Sequence, residues 1–186
     1  MFAWAMLPTP WGERIMVKRG NHYESAFEEY LRSRQVPYLA VDESRRSLLP
    51  VYGAAHTSLK NLDFVVSASR GVTWLIDVKG RRFPSGGKQF WKNWSTSDDL
   101  ASLARWEQLF GPAARGLYVF AYNVVGDRAP LPPHELFEYR GGLYGFVAIE
   151  RTDYAEHARQ LSERWETIAV PTAKFRELAR PVSSLI

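Results

Sequence analysis

The sequence predicts an α/β domain whose central mixed sheet is flanked by helices, and three stretches carry that expectation. From residue 21 to about 34, Tyr23, Ala26, Phe27, Tyr30 and Leu31 recur at i, i+3, i+4, i+7 and i+8, the period of a helix with one apolar stripe, and Asn21 can cap it. Residues 62–67 and 72–79 are β-rich, and Ala68-Ser69-Arg70-Gly71 between them has the composition of a short hairpin turn. Ser97 or Asp98 can open a second helix to about Phe110, stopped by Gly111-Pro112, before the β-prone run 116–124.

The remaining elements follow in order. Residues 36–41 and 47–52 read as extended, parted by the charged turn 42–46, and the Gly-, Lys- and aromatic-rich segment 80–96 reads as a loop with room for a short helix. A loop with Pro130, Pro132 and Pro133 leads to a strand at 143–150, Gly141-Gly142 forms a turn, and 154 to about 165 reads as a last helix before a tail closed by Pro181. The expected order is α, β, β, β, α, β, then β and α. No linker divides the chain, which reads as one domain: a lead-in at 1–19, a core at 20–125 and a C-terminal extension at 126–186.

At 186 residues, 46% hydrophobic and 24% charged, the chain can bury one real core, which excludes a disordered or fibrous protein. It has no cysteine, which closes disulfide, thiolate-zinc and cysteine-nucleophile chemistry and fits a reducing compartment. Without a basic leader or a run of about 20 apolar residues, it is expected to be soluble and cytoplasmic, with no membrane partner. The net charge is only +4, but residues 60–92 hold seven bases against Asp63 and Asp77. Such a surplus suits nucleic acid, or is simply a solvated basic face.

The chemical candidates lie in 74–79, an apolar strand that ends in Asp-x-Lys. A strand has period two, so Asp77 and Lys79 share one face. A hairpin symmetric about Arg70 sets Asp63 opposite Asp77, a like-charge pairing that destabilises unless a cation offsets it. Hard oxygen ligands suit Mg2+ or Mn2+, not zinc. A one-residue slip would move Asp63 off the face, leaving two surface acids beside a surface lysine.

Gly20-Asn21-His22-Tyr23-Glu24 opening the first helix, Leu62-Asp63-Phe64, and Ile76-Asp77-Val78-Lys79 followed by a helix and a strand resemble the PD-(D/E)XK, or restriction-endonuclease-like, nucleases. The pattern is most similar to their archaeal Holliday-junction resolvase and RecB-like branch. The resemblance spans about 19–123 and departs at Leu62, where the founding pattern has proline. It implies an αβββαβ core with a C-terminal strand-helix extension, in a Mg2+-dependent (or Mn2+-dependent) nuclease that hydrolyses DNA phosphodiester bonds. Asp63, Asp77 and the Val78 carbonyl would bind the metal, with Glu24 completing the site directly or through water. Lys79 would orient the attacking water and stabilise charge on the phosphate. A homodimer stays open, as does a rival reading: a catalytically inactive nucleic-acid-binding or scaffold module that keeps the fold.

Glu24, three residues after Asn21, can equally be a capping residue. Arg81 and Arg82, just past Lys79, are candidates for phosphate contact, with Lys88 and Lys92. Phe90, Trp91 and Trp94 can stack on unpaired bases, or pack as ordinary core. Gln89 has a loose counterpart in RecB-like members. His22, His56, His134 and His157 show no metal-ligand spacing and read as surface residues.

Overall fold

The structure, a computed structural model, describes residues 21–41, 59–60, 62–68, 71–84 and 90–186. The extended segment expected at 47–52, together with His56, Arg70, Lys88 and Gln89, lies outside the described residues. No helix among the described residues is long and apolar enough to cross a membrane.

Helix α1 (His22–Ser33) buries the expected stripe of Ala26, Phe27, Tyr30 and Leu31, and the side chain of Asn21 caps it by accepting the Tyr23 N–H at 3.1 Å. Phe27 meets Phe64 and Phe146 edge-on, with ring centroids 5.4 and 5.2 Å apart, which seats the helix on the sheet. Strands β1 (Tyr38–Ala40), β2 (Phe64–Ser67) and β3 (Thr73–Phe83) run antiparallel. Phe64 faces Ile76 and Ser67 faces Thr73, the register that symmetry about Arg70 requires. β3 continues four residues past Lys79, where a loop was expected. The cause is long-range: β5 (Ala114–Val124) pairs with it in parallel from Thr73↔Ala114 to Phe83↔Val124, so Gly80–Arg82 become strand despite weak local propensity.

The crossover between β3 and β5 is α2 (Ser97–Phe110), preceded by the short β4 (Ser95–Thr96). Its cap is Thr96, not Ser97 or Asp98, because Thr96 and Asp99 form a reciprocal capping box. After a 3-10 turn at Pro133–Glu135, β6 (Leu136–Tyr139) and β7 (Gly142–Glu150) form a hairpin. Its two loop residues, Arg140 and Gly141, both have positive φ, a tight turn that lets residues 136–139, expected as loop, pair with β7.

The single helix expected over 154–165 is not formed. The chain instead makes α3 (Arg151–His157), a β8 (Arg159–Ser162) and β9 (Thr167–Ala169) hairpin, α4 (Thr172–Leu178) and β10 (Arg180–Pro181). Leu161 and Trp165, which a helix would place on its stripe, are largely exposed, while β9 gains strand partners in both β8 and β4. Buried Asn93 fixes this arrangement: its Oδ1 accepts the Val170 N–H and its Nδ2 donates to the Val170 carbonyl, both at 2.9 Å.

The main sheet has the order β1-β2-β3-β5-β7-β10, with β6 on β7, and a second sheet has the order β4-β9-β8. Two apolar layers cover the main sheet's faces. Trp74, Ile76 and Val78 of β3 pack towards α1, whereas Leu75 and Phe83 pack with Leu103 of α2, Tyr118, Tyr122 and Tyr154. Alternation therefore turns Asp77, Lys79 and Arg81 to the α2 face.

Candidate active site

Asp77 and Lys79 meet where strand alternation puts them. The Lys79 Nζ lies 2.8 Å from Asp77 Oδ2 and 2.9 Å from Asp99 Oδ2, and Lys60 Nζ lies 2.8 Å from Asp99 Oδ1. Charges alternate along this row, and the side chains of Asp77, Lys79 and Asp99 are 14%, 18% and 13% exposed, so solvent screens them weakly. Asp99 is the residue that sequence reasoning missed. Its only local signal is the Thr-x-x-Asp capping pattern, which announces a helix start and nothing about a lysine twenty positions earlier.

Asp63 sits in a bend just before β2, and it is not the ladder partner of Asp77 that the hairpin predicted. The regular ladder ends at Phe64↔Ile76, the Asp63 N–H donates to the Ile76 carbonyl at 2.9 Å, and its Oδ2 accepts the Val78 N–H at 2.7 Å. The carboxylate thus occupies the β2-side edge of β3, where the described residues place no further strand. An extended residue directs its N–H and C=O to the same side, so the Val78 carbonyl shares that edge.

Burial pushes the Asp63 carboxyl well above the usual carboxylate range, and the negative charges of Asp77 and Glu24 push it further. Burial also raises Asp77, against the pull of Lys79. Burial would lower the Lys79 ammonium, but Asp77 and Asp99 outweigh it and hold the group above its ordinary value.

Glu24 lies in the first turn of α1, where its Oε1 accepts from Asn21 Nδ2 at 3.1 Å. Glu24 thus braces the side chain of the cap residue, and this contact coexists with its field on Asp63. Gly80 makes this proximity possible: a Cβ there would lie 2.1 Å from the Tyr23 ring, so only glycine lets α1 start so close to β3. Gly80→Ala is expected to destabilise the protein by about 1–3 kcal/mol through overpacking. Chemical denaturation would show it, and an unchanged midpoint would mean that the ring moves aside at no cost.

The other candidates are scattered. The Arg81 guanidinium lies 3.9 Å over the Trp94 ring and donates to the carbonyls of Gly80 and Trp94. Arg82 is exposed on the opposite face. Trp91 packs edge-on against Phe83 and Tyr122, and the Lys92 carbonyl accepts from the Tyr122 hydroxyl at 3.0 Å.

No family model and no curated protein matches this sequence. A solved structure has a similar fold. The chain folds like an archaeal Holliday junction resolvase. Hjc from Archaeoglobus fulgidus, a Holliday junction resolvase of a hyperthermophile, is similar with a TM-score of 0.50 and 12% identity, over 88% of this chain and 96% of that one. The restriction-endonuclease-like fold class expected from the sequence is therefore the one adopted. The structural match also reaches beyond residues 19–123, where the sequence resemblance stops. At such identity the likeness is one of fold, and function has to be argued from the site.

Among the described residues no group of three or more His, Cys, Asp or Glu side chains is set to hold a metal ion. What the chain offers is two crowded carboxylates and an edge carbonyl. That donor set fits Mg2+, which takes one or two carboxylates and retains several waters.

Proposed function

We propose that this chain is a divalent-metal-dependent nuclease of the PD-(D/E)XK type that hydrolyses DNA phosphodiester bonds. The observation that supports this most is Lys79 held 2.8 Å from Asp77 and 2.9 Å from Asp99, next to the Asp63 carboxylate that accepts the Val78 N–H at 2.7 Å. The name of the similar structure, a Holliday junction resolvase, supports DNA as the substrate. Asp63, Asp77 and the Val78 carbonyl would hold Mg2+ or Mn2+, with Glu24 reaching the site through water. When bound, such a cation supplies Lewis acidity and lowers the pKa of water.

The chain's own contribution follows from its electrostatics. Asp77 and Asp99 keep Lys79 protonated, so it acts as a fixed positive charge towards a phosphate and does not serve as a general base. Asp99 points its ammonium without touching the substrate, which makes Asp99 a positioning residue. Asp63, with Val78 N–H bound to one oxygen, holds the second carboxylate at the strand edge.

The direct test is cleavage of duplex and branched DNA by the purified protein with and without Mg2+ or Mn2+. Asp77→Ala is expected to abolish it, and Lys79→Ala to slow it by roughly 10²–10³-fold. Cleavage that survives both substitutions refutes the assignment, and metal-independent DNA binding without cleavage would identify a scaffold module instead. Calorimetry supplies a separate check. Protons compete with the metal for Asp63 and Asp77, so Mn2+ affinity is expected to rise, with proton release, as pH rises from mild acid to neutral. An affinity flat across that range would exclude these carboxylates as the ligands.

A further inference from the structure

On the α2 face of β3, Asp77, Lys79 and Arg81 are followed by Phe83, and Phe83 lines a cleft of about 880 Å3. Its other walls come from residues 90–94, Arg128, the β8–β9 hairpin and the start of α4. Lys92, Arg128, Arg159 and Arg176 line it, and among the described residues no Asp or Glu does. None of these four is ion-paired with a carboxylate of the described residues. Lys60 and Lys79, by contrast, are neutralised by Asp77, Asp98 and Asp99.

The cleft also holds aromatic rings. Phe90, Trp91 and Trp94 lie on its wall, with Arg128, Arg176 and Arg81 placed 5.4, 5.6 and 3.9 Å from their respective centroids. Cations without a carboxylate partner call for phosphates, and a partly exposed ring, Trp94 foremost at 39%, calls for an unstacked base face. Duplex DNA offers the first but stacks away the second, whereas a single strand offers both. We propose that this cleft binds an unpaired strand leaving the duplex held at the Asp63–Asp77 site.

The placement suits that path. Phe83 is six residues beyond Asp77, about 20 Å along the strand, a span of several nucleotides. The wall also continues directly into the candidate site, since Trp94 is followed by Ser95, whose hydroxyl donates to Asp99 at 3.1 Å. The inference deepens the nuclease reading and takes its biological sense from it: the substrate class becomes DNA with a junction between duplex and single strand.

The test is fluorescence anisotropy with labelled oligothymidine and with a duplex of equal length, in EDTA so that no cleavage is needed. The variant is Arg128→Ala/Arg159→Ala, two exposed residues outside the candidate active site, with its Tm checked against the natural protein. Oligothymidine affinity is expected to fall at least about tenfold, and its log–log salt slope to shrink by about 1.4, or 0.7 per cation lost. Duplex affinity is expected to change less than about twofold. Unchanged oligothymidine binding, an equal loss for duplex, or competition by thymidine monophosphate as effective as the oligonucleotide overturns the proposal. The two readings fail separately. A protein that cuts duplex with metal but binds oligothymidine normally as the variant loses only the cleft, and one that never cuts but shows the expected binding loss loses only the nuclease.

Discussion

An Asp63→Asn protein is expected to melt higher than the natural one in metal-free buffer near neutral pH, while its cleavage rate falls by roughly two to three orders of magnitude. Burial, Asp77 and Glu24 hold the Asp63 carboxyl above its unfolded value, so the folded state binds this proton more tightly than the unfolded one. Stability from that proton is complete in acid and is lost as pH rises through the unfolded and then the folded pKa, at about 1.4 kcal/mol per unit of difference. Asparagine removes the charge but keeps an oxygen for the Val78 N–H, so the gain comes without a lost hydrogen bond. Each kcal/mol relieved raises Tm by about 2–4 °C in a chain of this size.

Two controls make that expectation specific. The gain should vanish in mild acid, where the natural carboxyl is protonated. Mg2+ should raise the Tm of the natural protein and leave Asp63→Asn nearly unmoved, because binding to the folded state alone stabilises it. A variant that melts lower at neutral pH would show that Asp63 is a structural acceptor and not one of two carboxylates kept crowded for function. Stability given up at a functional site is a familiar trade.

How much of this is readable in the sequence depends on the range of each interaction. The α1 stripe and the β2–β3 register are local, set by a 3.6-residue period and a short turn, and they stand as expected. The shared face of Asp77 and Lys79 needs only strand alternation. Gly80–Arg82 become strand only because β5 lies alongside, and residues 158–169 become a hairpin because β4 and β8 both pair with β9. Neither cause is local. The bend at Asp63 replaces a cross-strand contact with a hydrogen bond to the Val78 N–H, a detail below what a register can specify. The basic surplus of residues 60–92 misleads, since two of its lysines are neutralised, while the open cations come from four separate segments.

Asp99→Ala is expected to cost about 3 kcal/mol or more, a fall in Tm of roughly 6–12 °C, because it removes the carboxylate lying between two lysines in a nearly buried row. It also leaves the Thr96 N–H and the Ser95 hydroxyl without their acceptor. Burial opposes ionisation of Asp99, but Lys79, Lys60 and Thr96 outweigh it and hold the carboxyl far below its ordinary value. A depressed carboxyl contributes stability above its unfolded pKa that is lost as pH falls, so the gap between natural and variant Tm should narrow in strong acid. Asp99→Asn keeps an oxygen for the cap and should recover about 1 kcal/mol of the loss. Neither variant leaves Lys79 uncharged at neutral pH, since Asp77 still faces it at 2.8 Å. The effect on cleavage is therefore one of aim: kcat falls about tenfold in both variants, with KM little changed, because the ammonium is no longer pinned from two sides. Full activity in an Asp99→Asn protein would reduce Asp99 to a helix cap, and full stability in Asp99→Ala would show that the row of alternating charges contributes nothing to the fold.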